Sequence, residues 1–229
     1  MSTIILILVA SIPPLALASY IYNLNKSVEK NAILSLKLLV LGALVATPIA
    51  AIIEPATAEL FYGDGLLIQM LLGVALVEEG AKFFVIKKFV FSKQKFNAPI
   101  DGIVYAVMVG LGFALAENIL YVFTWGFNVG IIRMLTAIPM HAMCGVILGY
   151  YVGKAQLDFS HQKKYISQGL FFAVALHGTY NFIAGISAGA LPLFLVLGIA
   201  YYFANSMIAK GQYRVLIERL NSSTETPEE

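Results

Sequence analysis

The chain has 229 residues, 59% of them apolar and only 12% charged, with a net charge of +2 and a mean hydropathy of +0.82. Soluble domains average about 45–50% apolar and about 25% charged residues, so this composition excludes a soluble globular enzyme, a disordered chain and a nucleic-acid binder. The one cysteine, Cys144, excludes an intrachain disulfide and a multi-cysteine metal site.

At about 20 residues per span the length accommodates about seven transmembrane helices. Continuous apolar runs lie at 3–24, 34–53, 65–87, 101–123, 130–153, 166–186 and 190–209. They are twice as long as barrel strands and do not alternate, so the expected fold is all-α, a polytopic transmembrane helical bundle. Ala16-Leu17-Ala18 has the form of a signal-peptidase site, but no basic segment precedes it, and the first run reads as an uncleaved span.

The connections between runs differ in charge. Lys26 and Lys30 occupy the first, Lys87, Lys88, Lys93 and Lys95 the third, and Lys154, Lys163 and Lys164 the fifth. The second carries Glu54, Glu59 and Asp64 without lysine or arginine, and the fourth and sixth have no basic residue. Positive charge therefore alternates, which predicts an outer N-terminus and a cytoplasmic C-terminus. Residues 1–209 read as one membrane-embedded domain. Residues 210–229 read as a short cytoplasmic tail, disordered after Arg219. No internal repeat with matching broken helices is evident.

Several runs carry groups that are costly in lipid, at least about 2.5–3.5 kcal/mol for a charge at mid-bilayer. The third holds Glu78, Glu79 and Lys82, and the fourth Glu117 and Asn118. The fifth holds Arg133, Pro139 and His141, and the sixth His177 and Asn181. Glu78 and Lys82 share a helix face, as do His177 and Asn181. At about 1.5 Å per residue, Glu78, His141 and His177 fall roughly 14–20 Å below the outer surface and Glu117 and Asn181 roughly 8–9 Å. Interhelical polar glue accounts for any one of these residues. The full set, with two adjacent carboxylates against one lysine, leaves a surplus buried carboxylate suited to acid or base catalysis. Pro139 is either an ordinary transmembrane proline or a break that opens a path to His141.

The residue types narrow the chemistry. No HExxH motif is present, though Glu78, Glu117, His141 and His177 form a candidate carboxylate–histidine metal set. Gly185-Ile-Ser187-Ala-Gly189 matches G-x-S-x-G but ends a span and cannot form a strand-to-helix elbow. His141 and Cys144 lie three apart, yet a cysteine in apolar surroundings is inert. The aspartates lie in loops or at a span edge. What remains is glutamate–histidine hydrolysis, in which Glu78 or Glu79 takes a proton from water. The rival classes are a proton-coupled transporter and a non-catalytic membrane scaffold. The GxxxG runs Gly126–Gly130, Gly149–Gly153 and Gly185–Gly189 suit close helix packing, most simply within one chain.

Glu78-Glu79-Gly-Ala-Lys82, Asp101-Gly-Ile-Val-Tyr105 running into Gly110-Leu-Gly-Phe-Ala-Leu-Ala-Glu117-Asn118, His141 before Gly145 and Gly149, and His177-Gly-Thr-Tyr-Asn181 resemble, in order, the PrsW family of membrane proteases. The resemblance runs from about residue 70 to 185. That family is related to the type II CAAX prenyl endopeptidases. The chain departs from their pattern in carrying Glu117 where F-x-x-x-H would place a histidine, and Lys82 where they carry arginine one position later. The resemblance implies a glutamic-type intramembrane endopeptidase of the cell membrane. It would cut single-pass membrane proteins such as anti-sigma factors near the outer face. It further implies that Glu78 and Glu79 activate water, that Glu117 and His141 complete the acid/base set, and that His177 and Asn181 steady the oxyanion. Lys82 and Asn118 would support them. No cofactor is expected on this reading, with a Glu/His-bound metal as the variant. The expected partners are the substrate and the lipid bilayer, not nucleic acid. The oligomeric state is not legible.

Overall fold

The computed structural model describes residues 2–24, 31–91, 96, 98–186 and 189–224. Among them there is no strand, and the chain forms seven long helices. These are α1 (Thr3–Leu24), α2 (Ala32–Leu60), α3 (66–91), α4 (Pro99–Trp125), α5 (Phe127–Leu157), α6 (Gln162–Gly185) and α7 (Ala190–Thr224). Five of them, α1, α2, α4, α5 and the Ala190–Tyr213 part of α7, are long and apolar enough to cross a bilayer. The other two, α3 and α6, fall short because they carry Glu78, Glu79 and Lys82, and His177 and Asn181. Helices α4 and α5 also carry polar groups inside, Asn118 and His141 among them, but within longer apolar stretches. The lysines at 26, 30, 93 and 95 and Ser187 of the G-x-S-x-G run lie outside the described residues.

Two boundaries differ from the sequence reading. The apolar run ends at Ile53, but α2 continues to Leu60. Lipid favours completing the helical hydrogen bonds over exposing backbone, and Glu54 is thereby carried on a helix instead of a loop. At the other end α7 continues past the last apolar run to Thr224. Residues 225–229 lie outside the described residues.

Helix α4 is the axis of the bundle, buried without interruption from Pro99 to Ala114. Its partners reach it through glycines. A Cβ on Gly149 would stand 2.5 Å from the Gly102 carbonyl oxygen, and one on Gly153 would stand 2.6 Å from Pro99 Cα. Further along α4, a Cβ on Gly112 would meet the Leu39 carbonyl and one on Gly42 the Val109 carbonyl, closer still. The Gly149–Gly153 run is therefore spent inside the chain, where bare backbone lets α4 and α5 touch.

Helix α5 breaks at Thr136, between Phe127–Leu135 and Ala137–Leu157. Pro139 falls in the first turn after the break, where its missing N–H would have no intrahelical partner anyway. It starts a helix and does not kink one. The break turns Thr136 and Arg133 toward the interior and leaves His141 on a continuous, buried segment. Wider turns at Gly42–Ala46 and Gln69–Ala75 interrupt α2 and α3 beside the same interior, as such turns often do at functional sites.

Candidate active site

Lys82 organises the centre. Glu79 and Glu78, three and four residues earlier on α3, fall on its helix face. The Lys82 ammonium donates to Glu79 Oε1 at 2.7 Å, Glu78 Oε2 at 3.3 Å and His141 Nδ1 at 3.0 Å. An ammonium has three N–H groups, and all three are committed. Phe113 closes the remaining side, its ring centroid 4.2 Å from Nζ. Burying a cation without such partners would be prohibitive.

The Lys82 bond fixes the His141 tautomer. Nδ1 accepts, so the ring proton is on Nε2, which donates to Glu117 Oε2 at 2.9 Å. His177 is fixed the other way round. Its Nδ1 donates to Glu79 Oε1 at 2.9 Å, while its Nε2 faces Glu78 Oε2 at 3.7 Å, too far for a hydrogen bond. The two imidazoles meet edge to face with centroids 5.1 Å apart.

Glu117 carries a second partner. Arg133 Nη2 lies 2.8 Å from Glu117 Oε2, a charge contact outside hydrogen-bond alignment. Its Nε donates to Asn118 Oδ1 at 2.8 Å, and its guanidinium stacks 3.8 Å from the Tyr121 ring centroid. Arg133 therefore links Asn118 to Glu117.

Beside this network is a cavity of about 600 Å³. Glu54, Glu78, Glu117, Arg133, Thr136 and Asn181 supply its polar wall. Glu79, His141 and His177 are not among its lining residues, although they are fully enclosed behind them. The adjacent glutamates thus differ, as neighbours about 100° apart on a helix must. Glu78 faces the space, while Glu79 is locked between Lys82 and His177. The cavity extends from Glu78 toward Tyr121, Val129 and Gly185, the end of the bundle away from Lys87, Lys88 and Lys154.

All eight residues singled out in the sequence converge here. Glu54 was missed as a wall residue, because the apolar run stops one position before it. Arg133 is legible in the sequence only as a charge inside a span. The signal that could have found its partner is its position, on the helix after Glu117 and just beyond a short turn. Asp101 caps α4 by accepting from the Ala98 N–H and does not belong to the site. Cys144 is buried with its Sγ toward the Ala173 carbonyl, as its apolar surroundings suggest.

Glu78, His141 and His177 also offer one donor atom each within 4.8 Å of one another. A carboxylate and two imidazoles suit a divalent transition metal. Each imidazole already has a carboxylate on one nitrogen, Glu79 on His177 and Glu117 on His141, the outer-sphere arrangement common around metal-bound histidine.

Buried glutamates, oriented histidines and an enclosed polar cavity inside a helical membrane bundle are the parts that a membrane-embedded hydrolase requires. Sequence comparison gives the particular family. The profile of the PrsW family intramembrane metalloproteases matches residues 30–207. The chain is 39% identical over 188 residues to Protease PrsW of Oceanobacillus iheyensis, covering 81% of this chain and 86% of that one. It is 34% identical to Protease PrsW of Shouchella clausii, covering 78% of this chain and 82% of that one. It is likewise 34% identical to Protease PrsW of Bacillus subtilis, covering 75% of this chain and 78% of that one. The chain belongs to the PrsW family and is a membrane protease. No solved structure matches it.

Proposed function

We propose that this protease lies in the cell membrane and hydrolyses one peptide bond of a single-pass membrane protein, an anti-sigma factor being the substrate class that the family resemblance suggests. Water in the cavity gives a proton to Glu78, and its oxygen attacks the scissile carbonyl carbon. Asn181 and Arg133, on the same cavity wall, donate to the oxyanion as it forms. The C–N bond then breaks, and the proton held by Glu78 passes to the leaving nitrogen. Glu79 does not react. It holds His177 with Nε2 toward Glu78, and Lys82 keeps both glutamates in register. Glu117 orients His141. The observation that carries this reading is that Glu78 alone of the glutamate pair reaches the cavity.

A second reading keeps the same residues and adds a metal. Glu78, His141 and His177 would hold it, and when bound it would polarise the carbonyl and acidify a water. Both ring nitrogens of His141 are engaged, by Lys82 and Glu117, which favours the metal-free reading. The donor spacing and the two carboxylate–histidine pairs favour the metal.

Cleavage toward the outer face fits a cavity that extends away from the lysine-bearing end. The test is co-expression with a doubly tagged panel of single-pass membrane proteins, followed by metal analysis and chelation of the purified protein. A fragment formed by the wild type and not by Glu78→Gln supports the protease reading. Activity that survives chelation in protein without bound metal supports the glutamate reading, and activity lost on chelation and restored by metal supports the second.

A further inference from the structure

A second cavity of about 410 Å³ adjoins the reactive one. The two share Ile132, Thr136, Ala184 and Leu193 as walls, and the second continues past Leu135, Ala190 and Phe194. It lies between α5, α6 and α7. In contrast to the reactive cavity, it presents no charged side chain. Its one hydroxyl is spoken for. Thr136 Oγ1 donates to the Ile132 carbonyl at 2.7 Å and accepts from the Tyr180 hydroxyl at 2.9 Å. A polar ligand group entering this space would lose water and find no charged partner. An apolar one would gain contacts with Ile132, Leu193 and Phe194.

We infer that this pocket is a specificity subsite that takes the apolar side chain of a substrate residue beside the scissile bond. The inference rests on the protease reading above and adds the substrate's chemistry. Continuity is the main argument. A peptide laid along Glu78 and Asn181 meets the shared wall of Ala184 and Thr136, so a neighbouring side chain has the second cavity open to it. The pocket has room for a branched aliphatic or phenyl group. Its rim residues Leu135 and Phe194 are half exposed, at 54% and 50%, so a membrane-anchored segment can reach it from the side without passing a polar barrier. Ala190 sits on the wall that the reactive cavity does not share, which makes it the position from which to alter the subsite alone.

The test co-expresses the full chain with a doubly tagged library of single-pass membrane segments. Eight positions across the outer bilayer edge are randomised, and cut bonds are read by mass spectrometry. The wild type is expected to favour Leu, Ile, Met or Phe over Ala and Gly at one fixed position from the bond, by at least about tenfold, the lower end of what one methylene is worth in an apolar pocket. Ala190→Phe fills the pocket and should reverse that preference toward Ala and Gly. Phe194→Ala opens the rim and should move it toward larger aromatics, and Ala190→Leu gives an intermediate shift if the phenylalanine variant does not insert. Each preference is a ratio within one variant, so it is independent of how much active protein accumulates. A cut library with the same preference in wild type and in all three variants overturns the subsite while leaving the protease reading intact, and this is also the pattern expected if a lipid chain fills the pocket. A library left uncut by the wild type overturns the protease reading and the subsite with it.

Discussion

Two buried regions of this bundle are held together in opposite ways. Where α4 meets α5, Gly102, Gly149 and Gly153 bring backbone against backbone, and the surface is specified by shape alone. One layer away, α3, α5 and α6 meet through Glu79, Lys82, His141 and His177, a surface specified by charge and hydrogen bonds. The first region has nothing left over, since a glycine contact is complete once the helices touch. The second leaves Glu78 and Glu117 facing a cavity. A membrane protein can pack without charge, so the charged layer is explained by the chemistry at its open side.

The comparison can be broken at either region. The largest effect is expected at the seam. Gly149→Leu places a side chain where α4 backbone already stands, at a cost of about 3 kcal/mol or more. It should abolish both the fold and cleavage, read as loss of protease-resistant, monodisperse protein in detergent. Lys82→Met removes the common donor and leaves two carboxylates buried against each other. Breaking such a buried pair costs about 3–5 kcal/mol, so cleavage should vanish and thermal stability should fall. Glu78→Gln separates the two regions. Cleavage should drop by about 10²–10⁴, the usual contribution of a positioned proton-transfer group, while melting of the purified protein changes little. Glu54→Gln, on the far wall of the cavity, should lower cleavage less than Glu78→Gln does.

The smallest effect is expected outside the membrane. Asp158 starts the turn before α6, and the Ser160 hydroxyl 2.5 Å away holds its carboxyl below the ordinary range, with His161 adding to this. A group depressed in the folded state stabilises above its unfolded pKa and loses that contribution as pH falls through the folded value. Asp158→Asn should therefore leave cleavage near wild type. It should remove the acid sensitivity of hydrogen exchange at the His161 amide.

The same contrast explains what the sequence disclosed. All seven helices could be read from apolar runs, because those runs are continuous and too long for strands. The charged layer could be read because Glu78, Lys82, Glu117 and His177 are costly where they stand. Three features could not. The α2 helix outlasts its apolar run, so Glu54 looked like a loop residue. Arg133 could be placed in a span, but its contact with Glu117 depends on the break at Thr136. The different roles of Glu78 and Glu79 depend on which side of α3 meets α6, a tertiary choice invisible to helical periodicity.

The central claim is that Glu78 is the reacting carboxylate at the cavity. Its most direct test is fragment formation from a doubly tagged single-pass membrane substrate, compared between wild type and Glu78→Gln at equal levels of inserted protein. The account predicts a fragment with the wild type and none with the variant. The same fragment at the same rate from Glu78→Gln would contradict it.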